Sequence, residues 1–384
     1  MSTAATVTHA EHLANARKVV IKIGSALFVD QQTGALDRAW LEGVCADVAD
    51  LKRAGKEVVI VSSGAVALGR VELKIPRRAR LEESQAAAAT GQILLAHAYQ
   101  EILRSFGITA AQVLLTIDDS ESRRRYLNAS RTLLTLLGYG AVPVVNENDT
   151  VATQELRYGD NDRLAARVAQ MVSAECLVLL SDVDGLYTAD PRRDATARYV
   201  EEVTELTQEF FDMAGGPGSS HGSGGMKTKI EAARIAVGAG CRMCIATGRV
   251  VRPISALLAG GKATWFLPRA TPGAARKQWI AGTLQPKGAV RVDAGAERAL
   301  ASGRSLLPAG VTAVEGQFER GDAVSIVATD GRELARGLIA YAADEARLIA
   351  GKQSGGIAEV LGYSGRDEII HRDDLVLMGA GARR

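Results

Sequence analysis

No stretch of this 384-residue sequence approaches 18 consecutive apolar residues, so a membrane-spanning helix is not expected. The opening MSTAATVTHAEHLANARK has no apolar centre, which argues against a secretory leader and for a cytoplasmic setting. Cysteine is scarce: four residues cannot make a disulfide framework at this length. Cys241 and Cys244 form a C-x-x-C, but inside the apolar run CRMCIATG and without companion ligands. Two buried thiols are expected there, not a metal or a redox pair. The histidines at 9, 12, 97, 221 and 371 show no ligand spacing. An excess of one charge is missing too. With 46 Lys and Arg against 44 Asp and Glu, the net charge of +2 gives no electrostatic reason for a nucleic-acid or membrane partner.

What remains is a globular composition, 47% hydrophobic and 23% charged, long enough for two or three domains. Apolar runs recur at 18–24, 57–63, 111–116, 141–147, 175–182, 241–247 and 263–267. They are rich in Val, Ile and Leu and lack polar alternation, as strands covered on both faces require. Helical patterns lie between them, at 37–54, 82–106, 120–138, 162–173 and 226–239. Strand and helix in alternation predict an α/β fold, a three-layer α-β-α sandwich with a mainly parallel sheet. Ligands should then bind beyond the carboxyl ends of the strands. Near residue 268 the character changes: PRATPGAARKQWIAGTLQPKG reads as a boundary, and shorter runs separated by glycines follow. The expected division is an extension at 1–16, a main domain at 17–268, a linker at 269–285, a small β-rich domain at 286–371 and a tail at 372–384.

Four predicted strand ends and one helix start carry unusual chemistry. In VIKIGS, Lys22 sits within an apolar run beside Gly24. It either snorkels from an edge strand or serves an anion, since burying an ammonium alone is costly. In VIVSSGAVALG, Ser62, Ser63 and Gly64 end a strand and open a helix, as an anion site or a plain cap. In VNENDTVATQELRYGDNDRLAARVA, Asn146, Asn148 and Asp149 follow one strand, and Gly159, Asp160, Asn161 and Asp162 precede an amphipathic helix. One cap explains one of these residues, not all. Converging short donors and acceptors suit the ammonium and carboxylates of an amino acid. In LLSDVDGLYTADPR, Ser181 and Asp182 end a buried run at a place suited to a nucleotide, while Asp190-Pro191 reads as a turn. Finally, GSGGMKTKIEAA lacks the adjacent Gly-Lys of a P-loop, yet its glycines and helix start still favour phosphate.

Taken in order, VVIKIGS, VIVSSGAVALG, VNENDTVATQELRYGDND, SDVDGLYTADPR and GSGGMKTKIEAA resemble the amino-acid kinase family, from about residue 17 to 371. The C-terminal segment is similar to the PUA domain that many bacterial members append. Within the family, the resemblance implies the branch that phosphorylates the γ-carboxylate of L-glutamate with ATP and Mg²⁺, which begins proline biosynthesis. It implies that Lys22 binds ATP phosphates, that Ser63 contacts substrate, and that Asp149 and Asn161 form the substrate pair. Ser181 and Asp182 correspond to a nucleotide contact. Ser223, Gly224, Gly225, Met226, Lys227, Thr228 and Lys229 correspond to the glycine loop, Lys229 reaching the transferring phosphoryl group. Asp162 resembles the acid that positions both lysines, although it could instead hold the metal through water. Ser62 and Ser181 stand where the family more often has threonine; the hydroxyl is kept. A homo-oligomer, tetramer or dimer, and feedback by proline near Asn148 are further implications. Other phosphotransferases of the fold, acting on aspartate, acetylglutamate or UMP, are the alternatives, as is an RNA-binding PUA protein. Ten Lys and Arg against twelve Asp and Glu in residues 286–371 speak against RNA.

Overall fold

The computed structural model describes residues 9–30, 33–76, 79–151, 160–192, 194–214, 225–283 and 285–378. Strands β1 (Lys18–Ile23), β2 (Glu57–Ser62), β3 (Ala110–Leu115), β4 (Val142–Glu147) and β5 (Cys176–Ser181) arise from the first five apolar runs. Short strands β6 (Leu186–Tyr187), β7 (Tyr199–Val200) and β8 (Glu202–Val203) precede β9 (Arg242–Thr247) and β10 (Ala263–Phe266). The main sheet has the order β3-β4-β2-β1-β5-β9-β10-β8. Its pairs are parallel except β9 with β10. β1 is therefore a central strand, which removes the edge-strand reading of Lys22.

Helices α1 (His9–Ala14), α2 (Arg38–Arg53), α3 (Ala65–Glu72) and α4 (Leu81–Ser105) come first. They are followed by α5 (Ile117–Glu121), α6 (Arg123–Gly138), α7 (Asp160–Val172), α8 (Gln208–Ala214), α9 (Met226–Gly238) and α10 (Pro253–Leu258). Two apolar clusters lie on opposite faces of the sheet. Val19, Ile21 and Ile23 of β1 pack with Trp40 and Val44 of α2 and Leu95 and Tyr99 of α4. Val20 packs instead with Leu164 and Val168 of α7 and Ile230 and Ala233 of α9. A period of two along a strand assigns each residue to one face, so Lys22 shares the α7/α9 face with Val20. All four cysteines are buried and unbridged. Burial pushes the thiols of Cys45 and Cys176 up to about 12, which makes them inert at neutral pH.

The amino-terminal extension is not loose at its inner end. Leu13 and Ala16 are fully buried, and His9 and His12 lie against Trp265. Helix α4 is seated on α3 by glycine. A Cβ on Gly91 would lie 1.8 Å from the Ala65 carbonyl oxygen, and one on Gly69 1.8 Å from that of Ala87. The two backbones touch with no room for a methyl group. Gly91→Ala is expected to cost about 3 kcal/mol or more, measurable as a lowered urea midpoint with unchanged slope.

The chain divides into two compact units, Met1–Pro272 and Gly273–Arg384. The predicted linker contains a helix, α11 (Pro272–Thr283), whose Arg276 pairs with Asp374 in the second unit. That unit adds β11 (Gly288–Val292), α12 (Ala294–Ala301), β12 (Val311–Gly316), β13 (Ala323–Val327) and β14 (Glu333–Leu338). Helices α13 (Ala343–Ile349) and α14 (Ile357–Leu361) and strand β15 (Leu375–Leu377) complete it. Its sheet runs β12-β11-β13-β14-β15 around its own core, which includes Val290, Ile326, Ile339 and Ile349. Among the described residues, no helix is long and apolar enough to cross a membrane.

Candidate active site

In the parallel part of the main sheet, the strand ends share one edge because their registers align. Lys22 of β1 lies opposite Val61 of β2 and Leu179 of β5, and Ser181 lies opposite Thr247 of β9. Asp162, in the first turn of α7, has no exposed side-chain surface. Its Oδ1 lies 2.6 Å from Lys22 Nζ, and its Oδ2 lies 3.0 Å from Lys229 Nζ. The Thr228 hydroxyl donates to the same Oδ2 at 3.0 Å. Two ammonium groups separated by more than 200 residues thus converge on one carboxylate. Burial would raise the Asp162 carboxyl, but the charges of Lys22 and Lys229 outweigh it and hold the group below the ordinary range.

The surroundings leave space for an anion. A Cβ on Gly24 would sit 3.9 Å from Lys22 Nζ, so the missing side chain keeps open the volume beside that ammonium. Helix α9 follows Gly225, which makes no side-chain cap bond, so that residue leaves the helix's first N–H groups uncapped by a side chain. A 13-residue helix also directs a partial positive charge to that end. Met226 packs into the apolar cluster under α9, Lys227 is exposed and Thr228 turns to Asp162. Lys229 and the backbone of this turn lie beside Asp162. Ser223 and Gly224 lie outside the described residues.

A second, uncharged group adjoins the first. Asn161, next to Asp162, donates through Nδ2 to Ser63 Oγ at 2.8 Å, to Asn146 Oδ1 at 3.1 Å and to the Ser62 carbonyl at 3.2 Å. Asn161 Oδ1 is buried and, among the described residues, has no hydrogen-bond partner. The turn from β2 into α3 brings Ser63 here, and Gly64 makes that turn at φ +108°, where a side chain would be strained. Asp149 stands on the next turn, closed by the Val151 amide donating to the Asn148 carbonyl. Burial pushes its carboxyl up to about 6. On the other flank, Ser181 Oγ donates to Asp182 Oδ1 at 3.1 Å. The Gly248 amide donates to the Ser181 carbonyl at 2.7 Å, and Arg249 Nε to that of Asp182 at 3.1 Å.

Two further residues reach the strand ends without any motif to mark them. Tyr99 and Gln92 of α4 hydrogen-bond with Ser62 and Asn146. Their partners lie 37 and 54 residues away, and an isolated Tyr or Gln on a helix carries no local signal.

Comparison with known proteins places this geometry. The amino acid kinase family profile matches residues 17–247, and the PUA domain profile matches residues 288–361. A glutamate 5-kinase of Paramagnetospirillum magneticum is 61% identical over 367 residues, 96% of this chain and 99% of that one. Glutamate 5-kinase 1 of Rhizobium meliloti is 59% identical over 373 residues, 97% of this chain and 95% of its own. A glutamate 5-kinase of Rhodospirillum rubrum is 59% identical over 359 residues, 93% and 96% of the two chains.

Proposed function

The chain belongs to the amino acid kinase family and carries a PUA domain, and from that premise we propose that it phosphorylates L-glutamate on its γ-carboxylate at the expense of ATP, giving L-glutamate 5-phosphate for proline biosynthesis. The observation that carries this reading is the pair Lys22 and Lys229 on Asp162, next to the uncharged pocket of Asn161, Ser63 and Asn146.

The nucleophile needs no base. A glutamate γ-carboxylate, with an ordinary pKa near 4.3, is already ionised at neutral pH. The obstacle is an anion approaching a polyanion. Preorganised positive charge removes it if that charge sits where negative charge accumulates in the transition state. Lys22 and Lys229 supply it, and Asp162 fixes their spacing so that neither must reorganise as the phosphoryl moves. The N-terminus of α9 adds backbone donors for the nucleotide phosphates, and Ser181 and Asp182 take the nucleotide's other side. Mg²⁺, entering with ATP, would supply further positive charge against the phosphates. Asp162 is a poor ligand for it, because each of its oxygens already holds an ammonium group.

The glutamate pocket explains why short polar residues gather there. Asn161 Oδ1 is a buried acceptor lacking a donor among the described residues, and the Asp149 carboxylate offers a negative charge; both suit an α-ammonium. The raised Asp149 carboxyl gives a pH test. Protonation below about pH 6 removes the charge that receives the ammonium. KM for glutamate should therefore rise as pH falls through that value, by up to about tenfold per unit, while kcat at saturation changes little. Asp149→Asn should raise KM at neutral pH and flatten the profile.

Glutamate-dependent ADP release, with hydroxylamine trapping the acyl phosphate as a hydroxamate, tests the whole reading. Aspartate, acetylglutamate and UMP should give none of this signal above background. Activity with one of them in place of glutamate would move the chain to another branch of the family. Added proline in the same assay tests feedback, and light scattering tests the proposed homo-oligomer, tetramer or dimer.

A further inference from the structure

Helix α4 approaches the pocket from the face of the sheet opposite Lys22. Gln92 and Tyr99 are seven residues apart, two turns, and so lie on one side of it. Alternation along β2 and β4 places Ser62 and Asn146 on the same face as Ile60 and Val144, which pack in the cluster beneath α4. Tyr99 OH lies 2.9 Å from Ser62 Oγ, and Gln92 Oε1 accepts from Asn146 Nδ2 at 2.7 Å. Asn146 is buried, so its amide depends on protein partners.

The direction of each amide bond is fixed by a group that has only one option. The Glu147 backbone N–H can only donate, and it donates to Asn146 Oδ1 at 2.9 Å. Asn146 must then present Nδ2 to Gln92, and Gln92 must present Oε1. The Ser62 carbonyl can only accept, so Asn161 presents Nδ2 to it and to Asn146 Oδ1. Donation runs one way, from Asn161 through Asn146 to Gln92, and leaves at its start Asn161 Oδ1, a buried acceptor without a partner among the described residues. Such an atom is destabilising until a donor arrives. A substrate ammonium is a donor; a carboxylate is not.

We propose that Gln92 is a positioning residue for the amino-acid substrate. It holds the Asn146 amide, which orders Asn161, which keeps Oδ1 set for the α-ammonium. This rests on the reading of Asn161 as a glutamate contact. On this proposal Gln92 acts through Asn146 and not on the substrate itself. Its backing is firm because the neighbouring Gly91 is in backbone contact with α3. Without Gln92 the buried Asn146 loses the acceptor for its Nδ2 and is held only through its Oδ1.

The test uses the full chain and three variants: Gln92→Leu, Gln92→Met and Gln92→Glu. Leu and Met remove the acceptor, and Met does so with the smaller change of shape. KM for glutamate should rise about tenfold in both, with kcat and KM for ATP within about twofold of the parent. Gln92→Glu keeps an acceptor oxygen and should recover most of the loss. Equal rises in both KM values, or a glutamate KM unchanged within twofold, would overturn the proposal. So would unfolding of the Leu and Met variants, since the residue would then be structural only. The parent protein serves as control: if it makes no glutamate hydroxamate, the reading of function fails, independently of Gln92.

Discussion

Lys229→Ala is expected to lower kcat by about 10²–10³-fold, while KM for glutamate moves by less than about threefold. The reasoning starts from where the charge is. Lys229 Nζ is buried 3.0 Å from Asp162 Oδ2 at the start of α9, where the proposed reading puts the nucleotide phosphates. An ammonium there gains most when charge moves onto the transferring group, and such an interaction appears in kcat. Lys22→Ala should behave alike, because its ammonium is held by the other oxygen of the same carboxylate. Since the two lysines act as a unit, the double variant should fall only slightly below either single one. Initial rates at saturating ATP and glutamate decide the matter. A large rise in glutamate KM with kcat preserved would mean that the lysines serve the substrate pocket instead.

Asp162→Asn should be severe in a second respect. The parent carboxylate neutralises two buried ammonium groups, and the amide cannot. Breaking a buried pair by removing one partner costs about 3–5 kcal/mol, because the remaining charge stays buried and unpaired. Turnover should fall as well, at least as far as in either lysine variant, because both cations lose their fixed spacing. The pH dependence has a definite sign. The folded-state pKa of Asp162 lies below its ordinary value, so its contribution to stability is present above about pH 4 and is lost as pH falls through the folded value. Urea denaturation across the acid range should show this limb in the parent and a weaker one in Asp162→Asn. Equal stabilities at neutral pH would contradict the role given to this carboxylate.

Much of the site is legible in the sequence because each motif is local. Lys22 with Gly24, the SSG turn, the GDND segment and the MKTK turn each place polar groups at the end of an apolar run or the start of a helix, where backbone geometry exposes them. Strand order is another matter. That β1 lies between β2 and β5 depends on crossovers of many residues, so the edge-strand reading of Lys22 stays open beside the anion-site one until the sheet is assembled. The antiparallel β9–β10 pair is likewise invisible in runs that look alike. Gln92 and Tyr99 emit no signal because their partners are strand residues brought close only by the packing of α4. The helix α11 hides in a segment whose prolines and glycines read as a break, yet Pro272 stands at its first position, where a proline is tolerated. The extension before Arg17 shows no strong amphipathic pattern, and its inner end is fixed by Leu13 and by the rings of His9 and His12 on Trp265.

A structure of the protein with a non-hydrolysable ATP analogue, Mg²⁺ and L-glutamate examines the central claim most directly. The account predicts Lys22 Nζ and Lys229 Nζ both within about 3 Å of β- or γ-phosphate oxygens, with Asn161 Oδ1 and the Asp149 carboxylate on the glutamate ammonium. A nucleotide contacting only one of the two lysines, or a glutamate seated away from Asn161, would contradict it.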